Sequence, residues 1–356
     1  MDSMDNFRER FEALEHRSAR REYRSPWLRV AALVVYALAP HPVQAKTFHC
    51  GAGDVSCLVA AINEANANRQ KKNTIRLEAG TYTLTAIDNT TAEEPNGLPV
   101  ANGLPVITSS LTITGQGAET TIVERDTSAP FFRILNVAAA GALTLQRLTL
   151  RGGFPFAGDG GGIFNDGTLT ITNSTISSNR ARLDGSGIFN FGTLTLTNST
   201  IVGNTVVEDS IGVVSGGGIF TVGTVELQNT ILALNMVGLF GRGPDCFGPV
   251  TSFGNNLIGD LTGCTITLQP SDLTGDPGLD TFTDNGKPGN GHFPLLSTSQ
   301  AIDAGNNAVC LRRDQLGRRR VGPCDIGAIA FRDRDDRRHE EDDDHQREED
   351  TAKASR

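Results

Sequence analysis

Three groups of side chains in this 356-residue chain have the chemistry to act on or hold a partner. The first is aromatic and cationic: Phe154, Phe156, Arg180, Arg182, Phe240 and Arg242, with Asp184 among them. Flat apolar rings and forked planar donors suit a sugar ring that carries acidic or hydroxyl substituents. The second group is the carboxylates Asp159, Asp166, Asp184, Glu208, Asp209 and Glu226. Glycoside hydrolases need two or three carboxylates about 5–9.5 Å apart, and polysaccharide lyases need a base beside a calcium-holding acidic cluster. These six acids share no repeated register, and His49 and His292 are the only histidines between residues 46 and 331, so no catalytic set emerges. The third group, Asp272, Asp276, Asp280 and Asp284, recurs every four residues. These acids alternate with Gly and Pro and lack the oxygen-rich spacing of a calcium loop, which favours turn formation over a metal site. No metal and no cofactor is expected.

The elements that must position these residues are set by an internal repeat. Gly141-Ala-Leu-Thr-Leu, Gly167-Thr-Leu-Thr-Ile, Gly192-Thr-Leu-Thr-Leu and Gly223-Thr-Val-Glu-Leu follow one another at separations of 26, 25 and 31 residues. Apolar residues alternate within each unit, which is strand periodicity. Leu143, Leu169, Leu194 and Val225 share a register; so do Leu145, Ile171, Leu196 and Leu227, then Leu150, Ile176, Ile201 and Leu232, then Ile163, Ile188 and Ile219. A period of about 25 is too short for a propeller blade and suits one coil of three short strands, stacked about 4.8 Å from the next by parallel pairing. Asn173, Asn198 and Asn229 mark one corner and Asn179, Asn204 and Asn235 another. Asn tolerates the left-handed backbone of a corner and can bond to the same amide one coil away. That repeated corner also accounts for the two Asn-Ser-Thr glycosylation triplets at 173 and 198, and for Gly158-Asp-Gly-Gly-Gly, which precedes a strand and not a phosphate-binding helix. Coil length varies at one place, in stretches 152–159, 180–185, 205–216 and 236–245, so these loops must share one side, where the first group of residues lies.

Upstream, Cys57-Leu-Val-Ala-Ala-Ile-Asn-Glu-Ala-Asn has helical composition, with Leu58, Ile62 and Ala65 on one side and Asp54 or Ser56 as a cap. It is expected to cover the open end of the solenoid. Residues 27–39 form an apolar run after an Arg-rich region, followed by Val43-Gln44-Ala45. This pattern predicts a cleaved export signal, the run being shorter than the roughly 20 residues that span a bilayer. All six cysteines follow the cut: Cys50, Cys57, Cys246, Cys264, Cys310 and Cys324. An even count in an exported chain predicts disulfides, and spacing favours pairing of neighbours, although six cysteines allow 15 connectivities. The net charge is −9, and no basic face suited to a phosphate backbone stands out, which argues against nucleic acid. Residues 332–356 hold seven Lys or Arg against eleven Asp or Glu and almost nothing apolar, the composition of a disordered tail.

Repeats such as Gly160-Gly-Gly-Ile-Phe-Asn-Asp-Gly-Thr-Leu-Thr-Ile-Thr-Asn-Ser-Thr-Ile-Ser-Ser-Asn resemble those of right-handed β-helix proteins of the pectin-lyase-like superfamily, particularly bacterial surface proteins. Gly53-Asp-Val-Ser-Cys-Leu-Val-Ala-Ala-Ile-Asn-Glu-Ala-Asn is similar to the Cys-Ser-Leu-Arg-Glu-Ala module that opens many of them, with Val59-Ala60 where Arg-Glu is usual. Gly275-Asp-Pro-Gly-Leu, Gln300-Ala-Ile-Asp-Ala-Gly, Asp314-Gln-Leu-Gly-Arg and Cys324-Asp-Ile-Gly-Ala resemble the choice-of-anchor Q domain of exported bacterial proteins. The resemblance implies a right-handed sense of winding. That superfamily includes both lyases and inert scaffolds, so fold does not assign activity.

The expectation is therefore an all-β, right-handed parallel β-helix with an N-terminal capping helix. It divides into a signal peptide (1–45), a cap with first strands (46–110), regular coils (111–260), the C-terminal end of the helix (261–331) and a charged tail (332–356). Its expected role is binding of a glycan or cell-surface ligand, outside the cytoplasm and without stable membrane insertion. A carbohydrate-active enzyme and a structural scaffold are the alternatives.

Overall fold

A computed structural model describes residues 44–68, 71–93, 98–115, 121–207, 214–283 and 291–332. The export signal expected at the N-terminus, nearly all of the charged tail, Glu208, Asp209 and Asp284 lie outside these residues. The described chain is an all-β parallel solenoid of about seven turns with very little helix. Apart from an antiparallel pair, Asn89–Glu93 with Leu98–Asn102, and a short parallel pair, Arg180–Ala181 with Thr205–Val206, its strands form three faces. The first runs from Thr47–Cys50 and Asn73–Leu77 through Ser110–Gly115, Ala142–Gln146, Thr168–Thr172, Thr193–Thr197 and Thr224–Gln228 to Cys246–Ser252 and Cys264–Thr267. The second stacks Gly80–Leu84, Thr121–Arg125, Leu148–Arg151, Thr175–Ser177, Thr200–Val202, Ile231–Ala233, Leu257–Ile258 and Leu273–Thr274. The third stacks Leu135–Val137, Ile163–Asn165, Ile188–Asn190 and Ile219–Thr221. Cys246–Ser252 pairs with the third face at its start and with the first at its end, so it joins the two around a corner.

Registers match the repeat residue for residue. Leu143, Leu169, Leu194 and Val225 pair in one column and Leu145, Ile171, Leu196 and Leu227 in the next. All are buried, as are Leu150, Ile176, Ile201 and Leu232 on the second face. Each such side chain contributes about 1.5–3 kcal/mol on burial, and the columns merge into one core along the axis. Outside the third face, Phe164, Phe189, Phe220 and Phe247 stack with ring centroids 5.4, 4.8 and 5.5 Å apart. Arg133, fully buried on the preceding coil, lies 4.8 Å over the first ring and donates to the Asp159 carbonyl.

The two asparagine columns behave differently. Asn179 Nδ2 donates to Asn204 Oδ1 at 3.0 Å, Asn204 to Asn235 at 2.9 Å, and Asn235 to Asp245 Oδ1 at 2.9 Å, so this series is a side-chain ladder that ends on a buried acid. Asn173, Asn198 and Asn229 do adopt the left-handed backbone, at φ 45, 47 and 50°. Their amides, however, do not bond to one another: Asn173 donates to the Arg313 carbonyl and Asn229 to that of Asn306, while Asn198 faces Cys324. They were expected to form a ladder; the C-terminal segment crosses their corner and takes the donors instead.

That segment sets how the molecule closes. Strands at Cys264–Thr267 and Leu273–Thr274 still belong to the coils, but residues 291–332 turn back along the outside of the second face. Thr149 Oγ1 donates to the Gly291 carbonyl, Gln315 bonds both Thr149 and Thr175, and Ala328 N donates to Thr200 Oγ1. Ile231 and Leu257 point outward into this contact and pack with Leu295, Ala301 and Ile326. Disulfides join Cys50 to Cys57, Cys246 to Cys264 and Cys310 to Cys324, the neighbour pairing expected from spacing. The helix Val55–Ala67 begins at Asp54, whose Oδ1 accepts from Cys57 N at 2.9 Å, and buries Leu58, Ala61, Ile62 and Ala65. Ser56, the other candidate cap, donates its hydroxyl to Asp54.

Candidate functional site

The variable loops stack at one corner, as their backbone bonds show: Arg180 N donates to Gly153 O, Thr205 N to Asn179 O and Met236 N to Asn204 O. Four of the residues singled out in them converge. Arg180 lies 5.1 Å from the Phe154 ring centre and Arg182 lies 4.0 Å from that of Phe156. Both rings meet Phe131, Phe154 edge-on at 5.0 Å and Phe156 stacked at 5.6 Å. Arg180 is exposed and Arg182 half-buried, and a cation over a ring at such a site is worth about 0.5–1 kcal/mol. Phe131 is 47% exposed and Phe156 51% exposed, so ring surface remains open to solvent.

The other three do not join them. Asp184 is a rung of the scaffold: its N–H bonds Asp159 Oδ1, and its own Oδ1 accepts from Ser215 N at 2.6 Å; Asp159 and Asp184, expected to share no register, therefore hold the same place in successive coils, each just before a corner glycine, Gly160 or Gly185. Burial raises its pKa, opposed by that N–H. Phe240 and Arg242 sit on the coil that follows the Thr205 coil, two coils beyond Arg180, and among the described residues no ring or cation contact links them to the cluster. The stacking distance makes that separation roughly 10 Å along the axis.

Beside the cluster lies a cavity of about 550 Å³ on the outside of the second face. Its floor is a register column, Thr83 paired with Glu124 and Glu124 with Arg151. Phe131, Phe154 and Arg180 form one wall. On the other side Arg151 lies 4.2 Å from the ring of Phe282, a residue of the chain leading into the C-terminal segment, and 3.8 Å from Glu124. Arg125 fixes the shape. Its Nε donates to Gly152 O and its Nη1 to the carbonyls of Asp126 and Ala129, all at 2.9 Å, which ties the loop carrying Phe131 to the next coil. Burial lowers the Arg125 pKa; Asp126 opposes this, and the nearby charge of Arg180 adds to it. Asp126 itself is held below the usual carboxylate range, first by the Ser128 hydroxyl and then by its N–H.

Sequence reading missed Phe131, Arg125, Arg151, Glu124 and Asp126. The one signal available was a column position: Glu124 and Arg151 stand where neighbouring coils have Thr83 and Ser177. Phe131 comes from an irregular early coil and had no repeat partner to mark it. Among the described members of the Asp series, Asp276 accepts from Gly278 N and Asp280 from Thr281 N within turns, while Asp272 accepts from Gln269 N in its own turn and from Asn256 N and the Ser252 hydroxyl on the preceding coil.

No family model matches the chain, and neither the curated proteins nor the solved structures yield a match. Three disulfides point to an oxidising, extracellular environment. Among the described residues no helix is long and apolar enough to cross a membrane.

Proposed function

We propose that this protein is exported and acts by binding a glycan, free or on a cell surface, in the cleft between Phe154 and Arg151. The observation that carries the reading is the cleft itself, in which ring surface of Phe131 and Phe154 adjoins guanidinium groups from three successive coils, Arg125, Arg151 and Arg180. Rings offer a sugar its apolar face, and planar donors take its hydroxyl or acidic groups. A right-handed winding, membership of the pectin-lyase-like superfamily, a choice-of-anchor Q module and a capping role for the helix belong to this proposal, supported by the quoted motifs and the parallel coils.

A carbohydrate-active enzyme is the second reading, favoured by the presence of Glu124 and Asp126 in the same cleft. A general acid needs a raised pKa, whereas that of Asp126 is lowered, which weighs against it. A glycan array probed with the full chain, scored for both capture and product release, tests the two readings. Capture lost at least tenfold in Phe154→Ala/Arg180→Ala/Arg182→Ala, with melting kept within a few degrees and capture retained in Phe240→Ala, supports binding at the cleft. Product release supports the enzyme. Unchanged capture in the folded triple variant, or no capture by the parent chain, overturns the proposal.

A further inference from the structure

A second surface carries the opposite sign to the molecule as a whole, a basic face where the sequence suggested none, because its arginines gather only when the Cys310–Cys324 loop closes. The Cys310–Cys324 disulfide closes a loop that holds Arg312, Arg313, Arg318, Arg319 and Arg320. The loop is a cross-bonded hairpin: Arg313 and Arg319 pair across it, Arg320 N donates to Arg312 O, and Arg313 Nη1 donates to Gly317 O. Arg312, Arg313, Arg318 and Arg319 are exposed. The acids that might balance them point inward: Asp314 accepts from Arg318 N and Ala330 N, Asp325 accepts from Asp303 N and Phe331 N, and both are buried. The hairpin seats on the solenoid corner through the Asn173 bond to Arg313. One coil earlier that corner is Arg147, the position held by asparagine in the following coils. The register sets Arg147 two coils beyond Leu77, the neighbour of Arg76; burial lowers the Arg147 pKa, and the like charges of Arg313 and Arg76 lower it further. Among the described residues none of Arg76, Arg147, Arg312, Arg313, Arg318 and Arg319 forms an ion pair.

A patch of unpaired arginines on a chain of net charge −9 calls for an anion. The chain supplies one. Residues 340–350 read Glu-Glu-Asp-Asp-Asp-His-Gln-Arg-Glu-Glu-Asp, eight acids against one Arg. The described chain ends at Arg332, whose Nη2 donates to the Arg319 carbonyl at 2.8 Å, so the path to this block starts at the patch. Eight residues reach at most roughly 27 Å when extended, and a short tether gives an effective concentration of the order of millimolar. We infer that the acidic block 340–350 docks on the arginine surface formed by the Cys310–Cys324 hairpin and the adjoining corner at Arg147. The tail thereby masks an anion-binding face and competes with any external polyanion for it.

The test uses the full chain in three forms: the parent, a neutralised-tail variant (E340Q/E341Q/D342N/D343N/D344N), and that variant with R312Q/R318Q/R319Q. The probe is a fluorescently labelled synthetic peptide of residues 339–350, followed by anisotropy at low salt. The neutralised-tail variant should bind the peptide at least tenfold more tightly than the parent, lose it on the arginine substitutions, and release it as salt rises, since exposed charges are screened. Equal binding by parent and neutralised tail, absence of binding to both, or binding that survives the arginine substitutions overturns the inference. Dextran sulfate captured equally by parent and neutralised tail also overturns it and makes the face a site for an external polyanion. If the arginine variant does not fold, the comparison of parent with neutralised tail and its salt dependence still decide. None of these outcomes depends on the glycan cleft.

Discussion

Removing one rung of the asparagine ladder, by Asn204→Ala, measures how much of the solenoid's stability is polar. Asn204 is fully buried. Its Oδ1 accepts from Asn179 N at 3.1 Å and from Asn179 Nδ2 at 3.0 Å. Its Nδ2 donates to Asn235 Oδ1 at 2.9 Å and to the Ile176 and Val202 carbonyls at 3.0 and 3.3 Å. In the alanine variant Asn179 N loses its acceptor, while Asn179 Nδ2 keeps Leu150 O and Asn235 Oδ1 keeps the N–H of residue 204. One orphaned buried N–H costs about 1–3 kcal/mol. The unfilled amide volume and the carbonyls left with weaker partners bring the expected loss to about 3–5 kcal/mol, by the same reasoning on buried polar groups and cavities. Urea unfolding followed by circular dichroism reads this as a lower midpoint. Because each coil contacts only its neighbours, hydrogen exchange should accelerate first in the strands at Thr175–Ser177 and Thr200–Val202, which flank the rung. Thr195→Ala, on the outer surface of the first face, is the control and should change stability by less than about 0.5 kcal/mol. A loss below 1 kcal/mol for Asn204→Ala would refute the view that the ladder is a structural spine.

Buried acids should make the protein more stable in mild acid. Burial pushes the pKa of Asp245, Asp314 and Asp325 up against the backbone donors around them; between the unfolded Asp value and the raised folded values the native state holds more protons, so stability falls as pH rises through that window. Calorimetry should give a higher melting temperature near pH 5 than near pH 8, the opposing surface groups Asp54 and Asp126 being exposed and screened; a melting temperature that falls steadily on acidification from pH 8 would contradict the buried-acid account. Cys310→Ser/Cys324→Ser removes a loop closure worth roughly 3 kcal/mol and should loosen residues 291–332 before the coils, seen as earlier proteolysis there. Phe189→Ala, which leaves Phe164 and Phe220 without the ring between them, should cost about 3–4 kcal/mol in urea unfolding. Asp54→Ala should cost about 1 kcal/mol, the usual worth of an N-cap, in the same assay.

The sequence by itself determined the coil. Alternation of Leu143 with Thr144 and Leu145, repeated at 169–171, 194–196 and 225–227, leaves only one side of each strand able to be buried, so the stacking register follows from the pattern alone. Spacing favoured the disulfide partners, cysteines 7, 18 and 14 residues apart, but left 15 connectivities open until the structure paired them. The shared corner of the loops followed from the same repeat. Only the tertiary structure decided what lies outside the coils. Ile122, Thr149, Thr175, Thr200, Ile231 and Leu257 form a column that reads as solvent-facing by period, yet it is buried because residues 291–332 return over it, a contact between segments up to 166 residues apart. The cleft was hidden for the same reason. Phe131 reaches Phe154 only because Arg125 bonds the carbonyls of its loop, and Arg151 reaches Phe282 only because the C-terminal segment is anchored beside it. Nearest-neighbour stacking writes the coil into every repeat, whereas contacts made once, between distant and irregular segments, have no second copy in the sequence to reveal them.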